Sequence, residues 1–171
     1  MERRYFLKYA GLTLAVAAAG PVAANSPPVR RVADVQADLV VLFKSSRKLV
    51  LYKNREPLRI YKVDLGFSPV GHKWREGDGR TPEGAYTINR RNPESAYHLS
   101  LGISYPNAQD VAFARKQGVS PGGDIFIHGG PTRFADRFKR DWTAGCIAVS
   151  DREIEEIWAM VPDGTPILIT P

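Results

Sequence analysis

Cysteine is nearly absent: Cys146 is the only one in 171 residues. A lone cysteine excludes an internal disulfide, so the fold has to rest on an apolar core. Histidine is also scarce, at His72, His98 and His128, and no cluster of His, Cys and carboxylates has metal-ligand spacing. No metal and no cofactor is therefore expected. No apolar run reaches the roughly 20 residues that a comfortable membrane span needs. The formal charge of +6 comes from 24 basic and 18 acidic residues scattered along the chain. No dense basic run or nucleic-acid motif accompanies it, which argues against a nucleic-acid partner and for a solvated surface. The chain has no internal repeat and no alternating βαβ rhythm, which excludes solenoids and doubly wound α/β folds.

What is present suits one domain with a real core: 43% of residues are apolar and 25% charged. Residues 1–24 have the three parts of a secretory leader. A charged start precedes an apolar stretch from about Ala10 to Ala19, then Gly20-Pro21 and the small residues Val22-Ala23-Ala24. Arg3-Arg4 within "RRYFLK" resembles a twin-arginine export signal, with a general secretory leader as the alternative. Cleavage after Ala24 leaves an exported chain of about +4, in the periplasm or cell envelope, with no stable membrane span. No cysteine follows the leader, so lipoprotein attachment is not expected. Residues 25–37, around Pro27-Pro28, read as a linker, and the folded domain spans 38–171.

Two β-branched runs around Ser45-Ser46-Arg47 predict a hairpin, and "PLRIYKVDLG" (57–66) a third strand. A glycine- and charge-rich loop over 71–84 follows, in which His72 reads as solvated. "AYTINRR" and "YHLSLGI" read as strands, "GDIFIHG" as a short buried strand ending in a glycine turn, and "PILIT" as a closing strand. Asn107 and Gly118 bracket a helix, and Ser150 with Glu153 forms a capping box before a second. The expected class is mainly β with two or more helices.

The chemistry centres on "DWTAGCIAVSD" (141–151). A lone cysteine is often only a small buried hydrophobe. Here Gly145 precedes Cys146 and permits a tight turn, while a short strand and a capped helix follow. A free thiol in an oxidising compartment is a liability unless it is used. A cysteine nucleophile needs a base, and His128 ends a buried strand where its ring can project into a site. Gly129 and Gly130 let the chain turn there, with a carbonyl free to hold the imidazole N–H. His98 lies on a strand facing either the core or a cleft. The amides of Ala144, Gly145 and Cys146 are candidate donors to an oxyanion. Trp142 either lines the cleft or simply packs. Arg133, Arg137, Lys139 and Arg140 read as a solvated loop or short helix between the histidine and the cysteine.

"IHGG", followed 18 positions after His128 by Cys146 in "TAGCIAVSDREIEEIW", resembles the L,D-transpeptidase catalytic domain, the YkuD-like fold. "DGRTPEGAYTI" and "YHLSLGISYPN" extend the resemblance, which covers most of residues 38–170. It implies a β-sandwich of two packed mixed sheets and a cysteine acyltransferase acting on peptidoglycan stem peptides. Carried over, Cys146 is the nucleophile, His128 the base and Gly129 the carbonyl that orients it. Ala144, Gly145 and Cys146 supply the oxyanion hole, and Thr143, His98 and Trp142 are candidate substrate contacts. The implied product is a 3→3 cross-link, with a wall-attached lipoprotein lysine or water as other acceptors. Many members read Ser-His-Gly-Cys, then a hydrophobic residue and Arg. Here Thr143-Ala144 replaces Ser-His and Ala148 replaces the Arg, a version that resembles a subgroup with some members that cut wall bonds. A related amidase or carboxypeptidase is thus the alternative, and a non-catalytic wall-binding module a third.

Overall fold

The computed structural model describes residues 35–171, so the leader and most of the linker lie outside the described residues. Among the described residues the chain is mainly β with two α-helices. In order it forms β1 (Leu39–Phe43), β2 (Lys48–Lys53), β3 (Glu56–Lys62), β4 (Gly84–Ser95) and β5 (His98–Ile103), then helix α1 (Ala108–Lys116). β6 (Phe126–His128), a 3-10 turn at Phe134–Phe138, β7 (Ile147–Ala148), helix α2 (Asp151–Met160) and β8 (Pro166–Thr170) complete it. Gly118, expected to close the first helix, takes a positive φ of 67° just beyond its last residue, Lys116.

The strands run in the order β3-β2-β1-β8-β4-β5-β6-β7. The sheet is mixed: β1 with β8 and β6 with β7 are parallel, and the other pairs antiparallel. At 12 residues, β4 is long enough to belong to both leaves of the sandwich. Gly84–Thr87 pair with β8, and the ladder from Ile88 to Ser95 pairs with β5. At the other end the chain after β3 comes back to β7, through bridges Asp64↔Ala148 and Gly66↔Thr143.

The core follows from strand alternation. Leu101 and Ile103 of β5, Ile127 of β6 and Ile147 of β7 are buried on one face, and Ile154, Ile157 and Met160 of α2 join them. Each such side chain contributes roughly 1.5–3 kcal/mol by leaving water. Ala37, which the sequence places in the linker, is buried in this core, and its N–H donates to the Met160 carbonyl at 2.8 Å. α2 starts where expected. Ser150 Oγ accepts from Glu153 N and the Glu153 carboxylate accepts from Ser150 N, a cap typically worth about 1 kcal/mol. This fixes the helix whose first residue, Asp151, reaches the site described next.

Candidate active site

The opposite face of β5–β6–β7 carries the polar residues. Ser100 pairs with His128, His128 with Ala148, and Ala148 with Asp64, so one row of residues crosses four adjacent segments. Carrying the β6–β7 register back by one residue sets Cys146 opposite Phe126. On that extended register Cys146 and His128 are diagonal neighbours on the same face, a relation in which Cα atoms lie about 7–8 Å apart.

His128 is almost fully buried. Its Nδ1 lies 2.7 Å from the Gly129 carbonyl. A carbonyl only accepts, so Nδ1 carries the proton and Nε2 is left as a base. Tyr97 stacks on the ring at 4.5 Å between centroids and 28° between planes. Trp142 meets it edge-on at 5.6 Å and 68°. Burial between these two rings pushes the imidazole below its ordinary pKa, against the opposing effect of the Gly129 hydrogen bond. The neutral form is thus favoured. Gly129 leaves no room for a side chain, since a Cβ would stand 2.5 Å from Asp151 Oδ1 and 2.9 Å from the Tyr97 carbonyl. The same Asp151 oxygen accepts from Gly130 N at 2.8 Å, so α2 fixes the turn after the histidine.

Cys146 is a free, partly exposed cysteine whose thiol donates to the Asp124 carbonyl at 3.5 Å. Burial pushes its pKa up, partly offset by a hydrogen bond from the Phe126 backbone and by the charge of Lys73. The resting pair is therefore a neutral thiol and a neutral imidazole. Its loop is held by backbone on backbone. Thr143 N donates to the Leu65 carbonyl at 3.1 Å, and Phe67 N to the Thr143 carbonyl at 2.9 Å. Thr143 Oγ1 donates to the Cys146 carbonyl at 2.7 Å and accepts from Gly145 N at 3.1 Å. A Cβ on Gly66 would fall 2.1 Å from the Gly79 carbonyl oxygen, and one on Gly145 would fall 2.7 Å from that of Arg80. Gly145 also has φ +137°, a backbone that other residues resist. The "DGRTPEG" turn is thus the backing against which the cysteine loop is pressed. Buried Thr81 adds to it, accepting from Gly66 N at 3.2 Å.

The structure brings some sequence candidates to this face and sends others away. Trp142 lines the site beside His128. Thr143 is buried at 4% exposure and braces the loop through its own hydroxyl, so it is a poor substrate contact. His98 is exposed and turned away: its φ is +71° and its Nε2 sits 2.7 Å from Glu155 Oε1 on α2, the helix packed on the core face. His72, read as solvated, is instead enclosed. Its Nδ1 accepts from Glu83 N at 2.9 Å and its Nε2 lies 3.1 Å from Asp110 Oδ1, because the 71–84 loop folds back onto α1. Tyr97, Asp151, Ser100 and Asp124 were not singled out from the sequence. Only Ser100 carried a signal there, through its place two residues into a strand that pairs with that of His128.

A family profile described as the L,D-transpeptidase catalytic domain matches residues 37–169. A protein of Escherichia coli (strain K12) named "Putative L,D-transpeptidase YafK" is 30% identical over 128 residues, which is 71% of this chain and 46% of that protein. The chain thus spans about half the length of the curated relatives it matches. Among solved structures, the helical cell shape determining protein Pgp2 of Campylobacter jejuni aligns with TM-score 0.60 and 25% identity, covering 80% of this chain and 48% of that one. An L,D-transpeptidase from Mycobacterium smegmatis shares the fold at TM-score 0.53 and 16% identity, over 79% of this chain and 59% of its own.

Proposed function

Because this chain belongs to the L,D-transpeptidase catalytic-domain family, we propose that it is an exported cysteine acyltransferase of peptidoglycan metabolism. Its nucleophile is Cys146 and its base is His128. The observation that carries this reading is the imidazole itself, with Nδ1 tied to Gly129, Nε2 free, and the thiol diagonal to it on one sheet face. The similarity to a cell shape determining protein supports a role at the wall.

The reaction has two halves. His128 Nε2 takes the thiol proton after the side chain turns from the Asp124 carbonyl. The sulfur then attacks the carbonyl of the third, diamino acid residue of a tetrapeptide stem. The oxyanion falls to the amides of Ala144 and Cys146, since the Gly145 amide is engaged by Thr143. Collapse breaks the peptide bond, and the terminal D-Ala leaves as an amine carrying the proton from His128. A thioester remains. An amine of a second stem, or a lysine of a wall-attached lipoprotein, attacks it, returns a proton to His128 and frees the thiol. Water in place of the amine makes the enzyme a carboxypeptidase, the reading favoured if Ala148 and the "TAGC" loop are adapted to hydrolysis.

The test is to incubate the protein with tetrapeptide muropeptides and identify the products by mass spectrometry. Dimers with 3→3 links are the expected outcome. Tripeptide monomers alone would assign hydrolysis, and unchanged substrate would overturn the reading.

Gly145→Ala is expected to lower turnover by about 100-fold, because the added methyl displaces the loop from Arg80 and with it the oxyanion donors. Initial rates measured beside a urea unfolding curve separate this from unfolding. Unchanged turnover in a folded variant would remove the loop geometry from the mechanism.

A further inference from the structure

The row Ser100–His128–Ala148–Asp64 runs into an open pocket of about 460 Å³ beside Trp142 and Gly130. Four basic side chains line it: Arg47, Lys48, Lys62 and Arg140. Arg47 is already held, with its guanidinium on both carboxylate oxygens of Asp141 at 3.2 and 2.8 Å. Among the described residues, Lys48, Lys62 and Arg140 have no ion-pair partner. Lys48 and Lys62 are moreover directly opposite each other on β2 and β3. Like charges placed so repel, and an anion between them relieves the repulsion. The acidic group lining the pocket is Asp64, and with Arg47 neutralised by Asp141 the remaining Lys48, Lys62 and Arg140 still outweigh it. The pocket's inner wall is Ala148, one strand position from His128.

We infer that this pocket binds a carboxylate of the peptide substrate while the scissile or accepting group lies at Cys146. The inference rests on the acyl-transfer reading above and names the substrate feature that reading leaves open. Peptide stems carry free carboxylates, and an anionic chain laid along the row places one among Lys48, Lys62 and Arg140. The cations come from β2, β3 and the segment before Trp142, elements apart from the catalytic loop, so the pocket selects substrate without joining the chemistry.

The test is calorimetric and needs no turnover. The Cys146→Ala protein is titrated with a synthetic tetrapeptide stem carrying free carboxylates and with the same peptide fully amidated. The titrations are repeated in Lys48→Ala/Lys62→Ala and Arg140→Gln backgrounds. The acid peptide is expected to bind at least about tenfold more weakly to the double variant, while the amidated peptide binds equally weakly to both. Added salt should erase most of the difference. The double variant relieves a repulsion and is expected to unfold at no lower urea concentration. Equal binding of the acid peptide to both proteins would overturn the pocket while leaving the acyl-transfer reading intact. No binding of the acid peptide to either would overturn the peptide-substrate reading and the pocket with it.

Discussion

Cys146→Ala is expected to abolish product formation, by about 10⁴-fold or more, while the domain stays folded. The expected size follows from what is removed: losing the nucleophile of a covalent mechanism removes the step itself, and only binding and oxyanion donors are left. The expected stability change is small. The cysteine is partly exposed, its thiol donates only a long hydrogen bond, to the Asp124 carbonyl, and the loop is held by Thr143, Gly66 and Gly145. Truncation there costs about 1 kcal/mol or less. Two measurements check it. Muropeptide products should vanish in the variant while its urea midpoint stays close to that of the parent. A carbapenem is expected to add its mass to the parent protein and not to the variant. Activity that survives in the variant would remove Cys146 from the mechanism. The parent thiol should react slowly with iodoacetamide at neutral pH and faster as pH rises, because burial pushes its pKa up.

The difference between Cys146 and its neighbours explains what the sequence could and could not tell. Elements with a local signature were legible. The capping box at Ser150 and Glu153, the turn at Ser45-Ser46-Arg47 and the alternation of β5 each depend on residues within a few positions of one another. The scarcity of cysteine and histidine made the proposed pair, Cys146 and His128, stand out. What stayed hidden depends on contacts across long stretches of chain. Tyr97 stacks on a ring 31 positions away, and nothing in "SAYHLS" marks it. His72 looks solvated in a charged loop until that loop closes on Asp110. His98 sits on the right strand, but a left-handed φ turns its ring to the other side. Thr143 lies beside the catalytic loop in sequence, which suggested a substrate contact, yet it bonds inward to Cys146 and Gly145. The "DGRTPEG" stretch runs as irregular chain into β4. Its place against Gly145 emerges only from the collision distances at Gly66 and Gly145.

The stacking of Tyr97 on His128, hidden from the sequence, also sets the pH behaviour. His128→Gln is expected to lower turnover by about 10²–10⁴-fold, the usual range for a general base. The parent's profile carries a sharper signature. Burial under Tyr97 and against Trp142 lowers the imidazole pKa, so Nε2 stays unprotonated below the ordinary value of about 6.5. The acid limb of kcat/KM should accordingly fall below that value. Stability follows the same group. In the unfolded chain the imidazole takes its proton near pH ~6.5, whereas in the folded chain it does so only at lower pH. Between these two pKa values the unfolded state binds more protons. Folding stability contributed by this group therefore falls as pH drops through about 6.5, and levels off once the folded imidazole is also charged. Tyr97→Ala opens one face of the ring to water and should move the acid limb upward, toward the free value, with Cys146 untouched. A limb that already lies at or above the free value in the parent, or that does not move in Tyr97→Ala, would show that burial between the two rings does not hold His128 neutral, and the resting pair would have to be redrawn as thiolate and imidazolium.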